Sequence, residues 1–125
     1  MNIKKQDEIS LQWLFKQAGP NRWDLANMDL ASLLGIDEEL IKKLKESIEL
    51  DEKISLTNDT STRVSMLLGI HKAIHELSPH GEENSFFIRP NNGDFLKGMS
   101  IKEFLIKETS TDAMSKVVIW LKSHV

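Results

Sequence analysis

Asp29-Leu30-Ala31-Ser32-Leu33-Leu34-Gly35-Ile36-Asp37 is the stretch on which the reading of the fold turns. Asp29 reads as an N-cap for a helix over Leu30 to Leu34, and Gly35 breaks that helix. Asp37 then caps a second helix, in which Leu40, Ile41, Leu44 and Ile48 form one apolar stripe. A helix-turn-helix needs a small residue where its helices cross, a glycine for the left-handed turn, and apolar residues that seat the second helix on the first. Ala31, Gly35, Ile36, Ile41 and Leu44 stand at those positions. An ordinary tight helical hairpin needs a similar set, so the choice between the two stays open.

Working outward, nearly every segment repeats at helical spacing and hardly any alternates like a strand. Upstream, Ile9, Trp13 and Leu14 predict a helix over Ile9 to Ala18, stopped by Gly19-Pro20. Trp23, Leu25 and Met28 read as a short linking turn. Downstream, Thr57-Asn58-Asp59-Thr60-Ser61-Thr62 is polar and rich in capping residues, and marks a boundary between a module over 1–56 and one over 57–125. A long helix follows, with Val64, Leu67, Leu68, His71, Ile74 and Leu77 on neighbouring faces, until Ser78-Pro79-His80-Gly81 ends it. Gly69 within it costs about 1 kcal/mol relative to alanine, so close helix packing is expected there. Glu82 to Gly98 reads mostly as loop, pinned to the core by Phe86, Phe87 and Ile88. Ser100, with Glu103 three residues on, opens a short helix by a capping box, with Phe104 and Leu105 inward. Thr111 or Asp112 starts the last helix, whose apolar face is Ala113, Val117, Trp120 and Leu121. The expected class is all-α, six or seven helices, with a helix-turn-helix-like module followed by a small helical domain.

The chain has 125 residues, no cysteine, and 16 Lys plus Arg against 19 Asp plus Glu, a formal net charge of −3. That length supports a core without disulfide or metal staples. The missing thiols exclude cysteine catalysis and fit a reducing cytoplasm. Gln6, Asp7 and Glu8 stand where the apolar core of an export signal would begin, and no apolar run approaches the roughly 20 residues of a membrane span. A soluble protein is expected. The charge is unevenly spread, with eight basic against twelve acidic residues over 1–60 and eight against seven over 61–125. In a DNA-reading motif the start of the second helix enters the major groove. Here that start is Asp37, Glu38 and Glu39, which repel phosphates, and only Lys42, Lys43 and Lys45 favour operator DNA.

Four further blocks carry information: Arg63-Val64-Ser65-Met66-Leu67-Leu68-Gly69-Ile70-His71-Lys72-Ala73-Ile74-His75-Glu76-Leu77; Arg89-Pro90-Asn91; Gly98-Met99-Ser100-Ile101-Lys102-Glu103-Phe104-Leu105; and Val118-Ile119-Trp120-Leu121. Pro90 fixes one backbone angle and holds Arg89 extended, while Asn91, Asn92 and Gly93 accept turn geometries closed to most residues. On their own these residues suit either a recognition loop or a plain connection, and Trp120 either a core or a binding position.

In order and spacing the four blocks resemble the C-terminal toxin-binding domain of the Xre/MbcA/ParS antitoxin family, over about half the chain. The resemblance implies the antitoxin of a type II toxin–antitoxin pair. Its partner would be a RES-domain toxin that consumes NAD or transfers ADP-ribose from it. It also implies a homodimer, a hetero-oligomer with the toxin, and repression of its own operon through the N-terminal helices. Toxin contact falls by this resemblance on Arg89, Pro90, Asn91, Gly98 and Ser100, and on the final helix and tail with Trp120, Lys122 and Val125. The chain departs from the family's pattern at Ile101, where proline is common, and at Lys97, where a second glycine is common.

His71 and His75, four apart with Glu76 adjacent and His80 beyond, could share a zinc ion. Their order is not that of a His-Glu-x-x-His site, and a structural role fits them better. The scattered glycines form no phosphate loop, and no serine sits at a strand-to-helix elbow. No catalytic residue and no cofactor is expected. Three functions remain, in this order: an antitoxin that occludes its partner's NAD cleft, a DNA-binding regulator without a toxin partner, and a small metalloenzyme.

Overall fold

The computed structural model describes residues 3–78 and 80–124, and Pro79 and Val125, both invoked above, lie outside them. Seven helices and no strand occur among the described residues. They are α1 (Ile3–Gln17), α2 (Asn27–Leu34), α3 (Glu38–Glu49), α4 (Asn58–Leu77), α5 (Glu83–Ile88), α6 (Ile101–Glu108) and α7 (Thr111–Lys122).

The helix starts follow from short polar side chains that accept otherwise unpaired N–H groups. Asp37 Oδ1 accepts from Leu40 N–H at 2.8 Å, Thr57 Oγ1 from Thr60 N–H at 3.2 Å, and Ser110 Oγ from Ala113 N–H at 3.0 Å. Ser110 caps α7, which starts at Thr111, one of the two expected positions. Asp29 is not the cap of α2. It lies three residues inside, where its carboxylate accepts from the Ala26 N–H at 3.0 Å. Thr57 is the cap of α4, so Asn58 to Thr62 are helical, preceded by the non-helical stretch Glu52 to Leu56.

The long α4 is the central strut. It packs on α1, α2, α5 and, most extensively, α7. Its buried face is Val64, Leu67, Ile70, Ala73 and Ile74, joined by Leu11 and Leu14 of α1, Leu30, Leu33 and Leu34 of α2, Ile41 and Leu44 of α3, and Met114, Val117 and Leu121 of α7. These side chains form one continuous apolar cluster, each fully buried leucine or isoleucine contributing about 1.5–3 kcal/mol. Three expected core residues sit outside it, Ile9 at 58% exposure, Ile88 at 44% and Leu40 at 41%. In each case the helix turns a neighbour inward instead, Leu11 for Ile9, Phe87 for Ile88 and Ile41 for Leu40.

Two further expectations are corrected. A Cβ on Gly69 would meet nothing within 4 Å, so no close helix contact explains that glycine. The stretch Glu82 to Gly98 is not mostly loop at its start, because Glu83–Ile88 is helical. Phe87 anchors that turn of helix, fully buried with its ring stacked on Trp23 at a centroid distance of 4.0 Å and 11°.

Between α2 and α3 the chain turns on Gly35, at φ +69°, while its N–H donates to the Ala31 carbonyl. The open carbonyls at the end of α2 are satisfied from α4. Thr60 Oγ1 donates to Leu34 O at 3.1 Å, and the Arg63 guanidinium donates to Leu33 O at 3.2 Å. Arg63 also donates to Thr109 O at 2.6 Å, beyond α6, and pairs with Asp59 at 2.9 Å.

Candidate functional site

The C-terminal half builds a cleft from α5, the loop after it, and α7. With Phe87 fixed in the core, Phe86 turns to the half-buried side, and the Arg89 guanidinium lies 5.6 Å from its ring centroid. Pro90 leads into a backbone clasp, in which Asn91 N–H donates to Met99 O at 3.1 Å and Gly98 N–H donates to Asn91 O at 2.7 Å. Lys97 and Gly98 both adopt left-handed angles, φ +51° and +92°, to close it. A lysine there bears a backbone cost of roughly 1–2 kcal/mol that a glycine would not.

The clasp presents Phe95 to α7. Its ring stacks on Trp120 at 5.4 Å and 24°, and tilts against Phe104 at 5.0 Å. Trp120 also meets His124 edge-on at 5.0 Å, and His124 Nδ1 lies 2.7 Å from the Trp120 carbonyl oxygen. A cavity of about 230 Å³ opens between Leu77, Phe86, Asn91, Trp120, Leu121 and His124. A smaller space of about 20 Å³ shares Phe86, Asn91 and Trp120 with it and adds Arg89 and Pro90. Among the described residues, Arg89 and His124 are the ionisable ones of this lining, and no acidic side chain belongs to it.

Of the residues expected to contact a partner, Arg89, Pro90, Asn91 and Trp120 are thus gathered at one cleft. Gly98 is exposed and serves the clasp. Ser100 is buried at 2% exposure and committed to its cap, its Oγ accepting from Glu103 N–H at 3.0 Å while Glu103 returns the bond to Ser100 N–H at 3.1 Å. Lys122 is exposed at the end of α7. Leu77, Phe86 and His124 help line the cleft without having been assigned to it from sequence, and Phe95 backs it by stacking on Trp120.

The lysines of α3 divide. Lys42 is exposed and pairs with Glu39 at 3.8 Å, and Lys43 is exposed. Lys45 turns inward, donating to Asn27 Oδ1 at 2.5 Å with its ammonium 5.4 Å from the Phe15 ring centroid. The exposed residues of α3 are Glu38, Glu39, Leu40, Lys42, Lys43, Glu46 and Glu49, four carboxylates against two ammonium groups.

His71 and His75 do not converge. His71 packs on Trp13 and Trp23 at 5.3 and 6.1 Å, and burial first, then the neighbouring His75, lowers its pKa below the usual histidine value, with Arg22 adding to this and Glu83 opposing it. His75 faces Glu83 at 3.3 Å. Hydrogen bonding from its own backbone N–H, and from that of Gly81, holds the Glu83 carboxyl below its usual pKa. Among the described residues no group of three or more histidines and carboxylates is placed to hold a metal ion. No helix among them is long and apolar enough to cross a membrane. No family model, no curated protein and no solved structure matches this chain.

Proposed function

We propose that the chain is an antitoxin of the Xre/MbcA/ParS kind, which binds a RES-domain toxin through the cleft around Trp120 and sterically occludes its NAD-binding site. The observation that carries this reading is the cleft itself. Half-buried aromatics beside an arginine, with no acidic side chain among the described lining residues, have the composition of protein-binding hot spots. Arg89 offers planar, forked donors to a carboxylate or phosphate, and Trp120 with Phe86 offers apolar area at small entropic cost.

In this reading α2 and α3 form a helix-turn-helix that serves dimerisation and, through Lys42 and Lys43, weak operator contact. The four glutamates exposed on α3 favour a protein contact over a phosphate contact. A DNA-binding regulator without a toxin partner is the second reading, and the exposed Lys42 and Lys43 are what favour it.

The test is co-expression with a RES-domain protein encoded in the adjacent reading frame. A stable complex and restored growth are expected, with Arg89→Glu or Trp120→Ala weakening the complex by about 2 kcal/mol, roughly thirtyfold. Absence of both complex and rescue overturns the proposal. Lys42→Glu with Lys43→Glu should leave the complex intact, and loss of operator retardation in that variant would establish DNA contact.

A further inference from the structure

Asn92-Gly93 is the single asparagine–glycine pair in the sequence, and both residues are exposed on the outer turn of the clasp. Glycine carries no side chain to keep its amide nitrogen away from the preceding carboxamide. The Gly93 N–H is not part of a helix. It donates to the Asn91 side-chain Oδ1 at 2.8 Å. Other asparagines are held differently. Asn84 lies in α5 with its carboxamide bonded to Gln17 at 2.6 Å, and Asn27 in α2 with its own bonded to Lys45.

We infer that Asn92 is a self-modification site, at which the chain deamidates through its own backbone under the restraint of Asn91. The Gly93 amide nitrogen attacks Asn92 Cγ. A Cγ–N bond forms, the bond from Cγ to the side-chain nitrogen breaks, and ammonia leaves with the proton that Gly93 gave up. Water then opens the cyclic imide at either carbonyl, leaving aspartate or isoaspartate. No oxidant or metal takes part. The hydrogen bond to Asn91 Oδ1 must break before Gly93 can attack, so the Asn91 carboxamide slows the reaction.

The isoaspartate product lengthens the backbone between Asn91, the anchor of the clasp, and Gly93, whose carbonyl accepts from Lys97 N–H at 2.9 Å. Phe95 lies inside that turn, stacked on Trp120. Isomerisation therefore loosens the Phe95–Trp120 stack, and the aspartate product adds a second negative charge beside Asp94. This holds whatever the cleft binds.

The test incubates the purified full chain at mildly alkaline pH. Peptide-mapping mass spectrometry follows each asparagine, isoaspartyl methyltransferase labelling follows the isomer, and near-ultraviolet circular dichroism follows the Trp120 environment. Conversion at Asn92 should outpace that at Asn21, an exposed loop asparagine followed by arginine, by roughly tenfold or more, because Gly93 leaves the attack unhindered. The near-ultraviolet signal should fall in step with the isomer, Asn91→Ala should speed conversion severalfold, and Asn92→Gln should keep the signal constant. Conversion at Asn92 no faster than at Asn21, an unchanged rate in Asn91→Ala, or isoaspartate without spectral change would each overturn the inference.

Discussion

Two glycines of similar appearance in the sequence have opposite consequences. Gly35 sits at φ +69°, and a Cβ there would meet the Arg63 guanidinium at 3.3 Å. Gly69 lies inside α4 with open space around the same position. Gly35→Ala should therefore lose about 1–2 kcal/mol and Gly69→Ala gain about 0.5–1 kcal/mol, read from urea unfolding midpoints. The turn role of Gly35 was legible because a break between two apolar helices demands it. The freedom at Gly69 was not, since nothing in the local sequence tells which face of a helix lacks a neighbour. His71 makes a second residue-scale case. Its lowered pKa means that, just below the usual histidine value of ~6.5, the unfolded chain binds more protons than the folded one. Stability is therefore full above that value, falls as pH drops through it, and levels off once the folded pKa is passed. Urea midpoints at about pH 7.5 and about pH 5.5 should show this loss, and His71→Gln should shrink it. An equal loss in the variant would rule His71 out as its source.

Elements formed by local rules could be read directly. The starts of α3 and α6 follow from Asp37 and from the Ser100–Glu103 box, both within a four-residue window. The six-residue α5 could not be read, because a helix so short is held by the stacking of Phe87 on Trp23, a residue distant in sequence. Arg63 works at this scale as well, since it joins the end of α2, the start of α4 and the residue after α6 through two carbonyls and Asp59. Arg63→Met leaves those carbonyls without their donor and should cost about 2–4 kcal/mol in thermal or urea unfolding. A cost under about 0.5 kcal/mol would show that water replaces the guanidinium at no penalty.

At the scale of the molecule, the apolar cluster runs unbroken from Leu11 to Leu121 across the polar stretch at Thr57. Helices on both sides of residue 56 bury their faces against α4, so unfolding should be one cooperative transition. Tryptophan fluorescence and far-ultraviolet circular dichroism should give coincident urea curves, whereas two separated transitions would reveal two independent modules. The all-helical class, the starts of α3, α6 and α7, and the acidic bias of the first 60 residues were determined by the sequence itself, because periodicity, capping and charge are properties of a few neighbouring residues or of their sum. Only the tertiary structure decided that Leu77, Phe86, Asn91, Trp120 and His124 share one cleft, that Lys45 is spent on Asn27 and Phe15, and that Ser100 is buried in its own cap. Which distant side chains meet depends on how α5 and α7 dock on α4, a balance of apolar burial over the whole core that no short window of residues contains.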